Sequence, residues 1–143
     1  VSEILSRFGE LFHDYLDQAQ VALAMKPVDR VLDVDLNKMI RVLQNLVSNA
    51  VDALAGKGGS IRIDCEDRGD KVVITLTDNG PGIPDAMQAI MFEPFATLGK
   101  KKGIGLGMAI AKSITVAHGG DLTFDSKAGR GTTFFIELPA PRR

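Results

Sequence analysis

Apolar residues recur at helical spacing in three places along this chain. Ile4, Leu5, Phe8, Leu11, Phe12, Tyr15 and Leu16 form the first stripe. The second is Leu36, Met39, Ile40, Leu43, Val47, Ala50 and Leu54, with Asp35 placed to cap its start and Gly56 and Gly58 to stop it. At 100° per residue Asn45, Asn49 and Asp52 gather on the opposite face of that helix. The third helix is predicted from about Met108 to His118, ended by Gly119-Gly120.

Alternation with period two predicts strands elsewhere. Ile61, Ile63 and Cys65 alternate with Arg62, Asp64 and Glu66, and Val72, Ile74 and Leu76 repeat the pattern after an Arg68 to Lys71 turn. Two more strands are predicted near Leu122 to Ser126 and Thr132 to Leu138, joined through Lys127 to Gly131. Short apolar runs at Val21 to Met25 and Arg30 to Val34, around Pro27, read as small strands. Residues 79–107 carry no clear periodicity beyond a short helix around Asp85 to Met91. A connection of that length inside a domain is usually functional or mobile.

Composition narrows the class. The 143 residues are 45% hydrophobic and 24% charged, as in an ordinary globular domain. A net charge of −1 gives no bulk attraction to nucleic acid, which is not expected as a partner. Cys65 alone cannot form an internal disulfide, which suits a reducing, cytoplasmic compartment. No apolar run reaches membrane-spanning length. The start at Val1, already within a helical pattern, predicts a piece of a longer protein. Residues 1–18 are expected as an N-terminal helix that either packs on the domain or is the tail of a preceding helical hairpin, and 19–143 as the main domain.

Strand parity singles out Asp78. With Val72, Ile74 and Leu76 facing the core, Asp78 faces it too, and a buried carboxylate needs donors. An adenine amino group would be one; an Asx turn ahead of Gly80-Pro81-Gly82 would supply another. Thr132 shares the side of Phe134, Ile136 and Leu138 and could join the same polar pocket or close a turn. Two asparagines mid-helix, Asn45 and Asn49, are mediocre helix formers that either line a solvated face or offer neutral amide oxygens to Mg²⁺. Gly103-Ile104-Gly105-Leu106-Gly107 runs directly into a helix, where glycine amides and the helix N-terminus suit phosphate. The adjacent Lys100-Lys101-Lys102 would neutralise it, or would simply be a solvated loop. Phe92 and Phe95 are anchors on a polar segment, placed to pin it to the core or to dock a partner.

In this order the motifs resemble the ATP-binding catalytic domain of sensor histidine kinases, a branch of the Bergerat-fold ATPases. Asn45-Leu46-Val47-Ser48-Asn49-Ala50 is similar to the family's asparagine box. Asp78-Asn79-Gly80-Pro81-Gly82-Ile83 is similar to its first glycine box, and Phe92-Glu93-Pro94-Phe95 to its phenylalanine box. Gly103 to Gly107 and Gly129-Arg130-Gly131-Thr132 match the other two glycine boxes. The resemblance covers Asp35 to Leu138. It implies an α+β, two-layer sandwich in which a mixed, mostly antiparallel sheet is covered on one face by three helices.

It also implies the ligands, ATP and Mg²⁺. Asp78 would bind the adenine amino group and Thr132 would line that end. Asn49 would ligate Mg²⁺, with Asn45 near the phosphates. Residues 83–103 would form a flexible ATP lid. Gly80, Gly82, Ile83, Lys100, Lys101, Gly103, Gly105, Leu106 and Gly107 would complete the nucleotide site. The implied activity is transfer of the γ-phosphoryl group to a histidine on a dimerisation domain of the same protein, for relay to a response regulator receiver domain. The parent would be a homodimer, membrane-anchored or not.

Related hydrolases carry a glutamate where this chain has Asn45, a poor general base, so hydrolysis is expected to be slow. His13 lacks the basic residue and proline that follow a phosphoacceptor histidine and is rejected as one. His118 reads as a helix C-terminal cap. The alternatives are a serine kinase of the anti-sigma-factor type and a non-catalytic, nucleotide-gated signalling module.

Overall fold

The computed structural model describes residues 4–10, 21–26, 32, 34–54, 59–80, 82, 88, 92, 107–127 and 131–140. Residues 4–10 are helical (α1). They are followed by β1 (Val21–Lys26), α2 (Leu36–Leu54), β2 (Gly59–Asp67), β3 (Lys71–Asp78), α3 (Gly107–Ala117), β4 (Asp121–Lys127) and β5 (Gly131–Pro139).

The five strands form one sheet in the order β1-β2-β3-β5-β4. β1 lies parallel to β2, and the other four strands are antiparallel. The β2–β3 hairpin closes as the sequence predicts: Arg68 N–H donates to Lys71 O at 2.8 Å, and the Asp67 carboxylate accepts from Gly69 N–H at 2.9 Å. Of the run from Arg30 to Val34, Leu32 and Val34 are described and neither lies in a strand. Both instead pack partly buried against the core.

One face of the sheet is apolar and helix-covered. Ile61, Ile63, Val72, Ile74, Leu76, Leu122, Phe134, Ile136 and Leu138 all point into a single core. Burying each such side chain is worth about 1.5–3 kcal/mol. The expected stripe of α2 is buried except for Leu36, which is half-buried against the core, and Val42 and Leu46 are buried as well. Helix α2 is apolar over a wider arc than the stripe because α3 packs beside it while the sheet lies beneath.

Helix α1 belongs to the same core through Ile4, Leu5 and Phe8, the last with no exposed surface. Leu11, Phe12, Tyr15 and Leu16, the expected boundary at 18/19 and His13 lie outside the described residues. Among the described residues no helix is long and apolar enough to cross a membrane.

Candidate functional site

The α2 N-terminus is capped by Asp35, whose Oδ1 accepts from Lys38 N–H at 3.1 Å while its carbonyl accepts from Met39 N–H at 3.0 Å. This cap starts a helix that carries Asn45 and Asn49 one turn apart. The face they share is covered by more than water. Both residues are half-buried, and Asn45 Nδ2 is buried with no hydrogen-bond partner. Such a group costs about 1–3 kcal/mol. A solvated polar face is therefore the wrong description of Asn45. Its neighbour is the first residue of α3: a Cβ added to Gly107 would lie 3.8 Å from the Asn45 Cγ and Oδ1. Asn45 and the amide end of a helix thus converge on one spot, a donor-rich place suited to an anion.

Asp78 ends β3 with 4% of its surface exposed, on the core side that parity predicts. Burial pushes its carboxyl above the ordinary value of 3.8, while backbone hydrogen bonds from Gly80 and Thr132 pull the other way. The Gly80 N–H···Oδ1 bond, 2.9 Å, is the Asx turn, so turn and buried carboxylate are both realised in one residue. Thr132 pairs with Asp78 across the β3–β5 ladder and is 5% exposed. Its hydroxyl lies 2.9 Å from that of Ser126 on β4, and Ser126 Oγ reaches Gly131 O at 3.3 Å. Gln88 Nε2 donates to Ser126 O at 3.5 Å, linking the segment after Asp78 to the same strand end.

Phe92 packs against the core, as one of its two expected roles requires. Its ring meets Phe124 edge-on at 5.8 Å, and Phe124 meets Phe134 at 6.0 Å. Lys112 Nζ sits 5.0 Å from the Phe92 centroid, donates to Leu122 O at 2.8 Å and pairs with Asp121. Sequence reasoning missed Lys112; its signal was a lone charge inside the apolar run of α3. It also missed Asn79, whose side-chain oxygen accepts from Ser60 N–H at 2.9 Å and ties the end of β3 to β2.

Of the expected site residues, the structure brings together Asn45 with Gly107, and Asp78 with Thr132 and Gly80. Gly82 is described at φ 84°. Ile83, Lys100, Lys101, Gly103, Gly105, Leu106 and Phe95 lie outside the described residues. So do the Asp85 to Met91 helix, apart from Gln88, and all of the 83–103 lid except Gln88 and Phe92.

A mixed sheet under three helices, a buried acid at a strand end and an asparagine facing a helix N-terminus together define an ATP-binding catalytic domain. The chain belongs to the histidine kinase-, DNA gyrase B- and HSP90-like ATPase family, which matches residues 34–142. Its relatives include the alginate biosynthesis sensor protein KinB of Pseudomonas aeruginosa, 35% identical over 96% of this chain and 23% of that protein. The sensor histidine kinase ZraS of Salmonella typhimurium is 40% identical over 78% of this chain and 24% of its own length. The chain spans about a quarter of the length of these curated relatives.

The solved catalytic domain of the histidine kinase ThkA superimposes with a TM-score of 0.82 at 30% identity, covering 97% of this chain and 93% of that one. ThkA in complex with the response regulator protein TrrA matches with a TM-score of 0.79 at 26% identity, covering 99% of this chain and 40% of that one.

Proposed function

We propose that this chain is the Mg²⁺-ATP-binding catalytic domain of a sensor histidine kinase. It transfers the γ-phosphoryl group to a histidine on a dimerisation domain of the same, homodimeric protein, for relay to a receiver domain. The observation that carries the reading is the pairing of two unusual polar groups. One is an acid buried at a sheet end; the other is an amide buried without a partner at the mouth of α3. Each is what a nucleotide would satisfy, one at the base and one at the phosphates.

Asp78 accepts a hydrogen bond from the adenine amino group, and Thr132 borders that end. The Asn45 amide donates to a phosphate oxygen, and Gly107 presents the α3 N-terminus to the same charge. Gly103, Gly105, Leu106, Ile83, Lys100 and Lys101 belong to the same site by motif.

The donors present fit Mg²⁺ shared with phosphate. Among the described residues no three His, Cys, Asp or Glu gather to cage a cation, whereas Asn49 offers a neutral amide oxygen that does not repel polyphosphate. When bound, the ion would neutralise phosphate charge. Transfer breaks the bond between the γ-phosphorus and the β,γ-bridging oxygen and makes one to an imidazole nitrogen. ADP leaves, and the ring proton passes to solvent. The chain's own contribution is alignment and charge neutralisation. Asn45 aims no base at water, so the γ-phosphoryl group waits for the incoming ring. The sensor histidine kinase among its relatives supports histidine as the acceptor, and the lone Cys65 suits a reducing, cytoplasmic site of action.

The test is transfer of label from γ-labelled ATP to a supplied dimerisation domain. Acid-labile, base-stable label that disappears in Asn49→Ala with the fold intact supports the reading. Acid-stable label, or nucleotide binding without transfer to that domain, overturns it.

A further inference from the structure

Helices α2 and α3 run antiparallel, and two contacts mark their relative position. At one end Gly107 meets Asn45. At the other, His118 meets Asp35. Asn45 lies ten residues beyond Asp35, and Gly107 eleven before His118, about 15 and 16 Å of helix respectively. The two helices therefore keep step over their shared length, and what holds one end in register holds the other.

The His118 end is the directional one. His118 Nδ1–H donates to Ile114 O at 2.8 Å, because a carbonyl can only accept. The same ring is then neutral with a bare lone pair on Nε2, which accepts from Asp35 N–H at 3.2 Å. Both bonds require one tautomer. Asp35 is the α2 cap, and its own carbonyl and carboxylate are occupied by Met39 and Lys38. The imidazole thus joins the C-terminal cap of α3 to the N-terminal cap of α2 across 83 residues of sequence.

Among the described residues, the polar side chains of Thr115 and Lys112 do not tie α3 to α2. Apolar packing between the helices contributes to their register through shape, without a directional bond. The Thr115 hydroxyl is spent within its own helix on Ala111 O, and Lys112 ties α3 to β4 instead. The Schellman turn at Gly119 and Gly120 ends α3 without reaching α2.

We propose that His118 is a positioning residue: its ring sets the axial register of α3 on α2, and so holds the Gly107 amide end opposite Asn45, where the phosphates bind. This rests on the ATP site proposed above. A slip of α3 by one residue moves its N-terminus about 1.5 Å, enough to misdirect amide donors. Asp78 and Thr132 stand on the sheet, so the base end of the site is insulated from such a slip.

The experiment separates a cap from a register pin by two amides. In His118→Asn the side chain reaches Ile114 O as a helix cap but offers no acceptor to Asp35. In His118→Gln an oxygen stands where Nε2 stood. Calorimetry on the folded chain with Mg²⁺ compares ATP with adenosine. His118→Asn and His118→Ala should lose about tenfold in ATP affinity while adenosine affinity changes less than about threefold, and His118→Gln should recover ATP binding to within about threefold.

Equal ATP binding by the Asn and Gln variants overturns the proposal, as does parallel loss of ATP and adenosine. Nitrogen-15 chemical shifts of the ring give a second readout, independent of any variant's folding: the Nδ1–H tautomer is expected, and an Nε2–H ring overturns the register bond. If the unsubstituted chain binds neither nucleotide, it is the ATP-site reading that fails.

Discussion

Gly131 lies against Asp78 so closely that a Cβ on it would sit 2.1 Å from the Asp78 carbonyl oxygen. Its φ of 85° is also one that side chains resist. The close approach lets the first residues of β5 pair with the end of β3, which seats Thr132 beside the buried carboxylate. Gly131→Ala should therefore cost both stability and nucleotide. A strained φ and a displaced backbone together predict a loss of about 2–3 kcal/mol. Denaturant unfolding reads the stability, and adenosine calorimetry should show base recognition lost at temperatures where the variant remains folded.

Asp78 should separate stability from function. Its pKa is raised, first by desolvation, so the folded state holds this proton more tightly than the unfolded chain does. The contribution of the protonated form is fully present below the ordinary value of 3.8 and is lost as pH rises through the higher folded value. At neutral pH the buried charge is a liability. Asp78→Asn keeps an oxygen for Gly80 N–H but turns an amide donor toward the adenine amino group. Thermal unfolding at pH 7 should show the variant at least as stable as the parent, and calorimetry should show adenosine binding abolished. A variant both unstable and binding-competent would remove Asp78 from the base site.

How far the sequence revealed these arrangements depended on the length scale of the signal. Asp78 and Thr132 were legible because strand parity is a local rule, and a polar residue in phase with Val72 to Leu76 must face the core. The α2 stripe was legible, but its full buried arc was not. Val42 and Leu46 are buried in a core built from elements distant in sequence, and no period within α2 announces those neighbours. Asn45 read as either solvent-facing or metal-facing, and only the approach of Gly107 decides that its amide is buried. The His118–Asp35 and Lys112–Phe92 contacts join distant segments through single side chains, which leaves no periodic trace. The five-box order supplied the ATP reading that spacing alone left open.

Lys112 should act as a three-way tie rather than as a strong ion pair. It touches Asp121, the Leu122 carbonyl and the Phe92 ring. Both charged side chains are about a third or more exposed, so the pair itself is worth under about 1 kcal/mol. With the ring contact and the hydrogen bond, Lys112→Met should cost about 1–2 kcal/mol at neutral pH. Asp121 has a lowered pKa, chiefly through the Lys112 hydrogen bond, so this contribution is present above 3.8 and lost as pH falls through the folded value. The stability gap between parent and Lys112→Met should narrow on acidification, as measured by urea unfolding at a series of pH values. A gap unchanged by pH would place its origin in the apolar stem alone.

Phe8 tests whether α1 is part of the folding unit. Its ring is wholly buried among core residues of the sheet and α2, alongside Leu5 and Ile4. Phe8→Ala should destabilise the domain by about 3–5 kcal/mol, and one cooperative transition should shift as a whole. A helix merely resting on the surface would instead give a loss below about 1 kcal/mol, or a separate early transition in hydrogen exchange over residues 4–10.

Asn45 should show the opposite sign with and without ligand. Its amide nitrogen is buried and unpaired, so the free domain carries a cost that nucleotide relieves. Asn45→Ala removes that group, and its unfolding free energy without ligand should lie within about 0.5 kcal/mol of the parent or above it. With ATP and Mg²⁺ at a hundred times the parent's dissociation constant, the parent gains about 2.7 kcal/mol. The variant should gain at least about 1 kcal/mol less, because one phosphate hydrogen bond is missing. Adenosine, which has no phosphates, should stabilise both equally. If Asn45→Ala weakened adenosine as much as ATP, the amide would be supporting the base end of the pocket, and the assignment of α2 and α3 to the phosphates would have to be reversed.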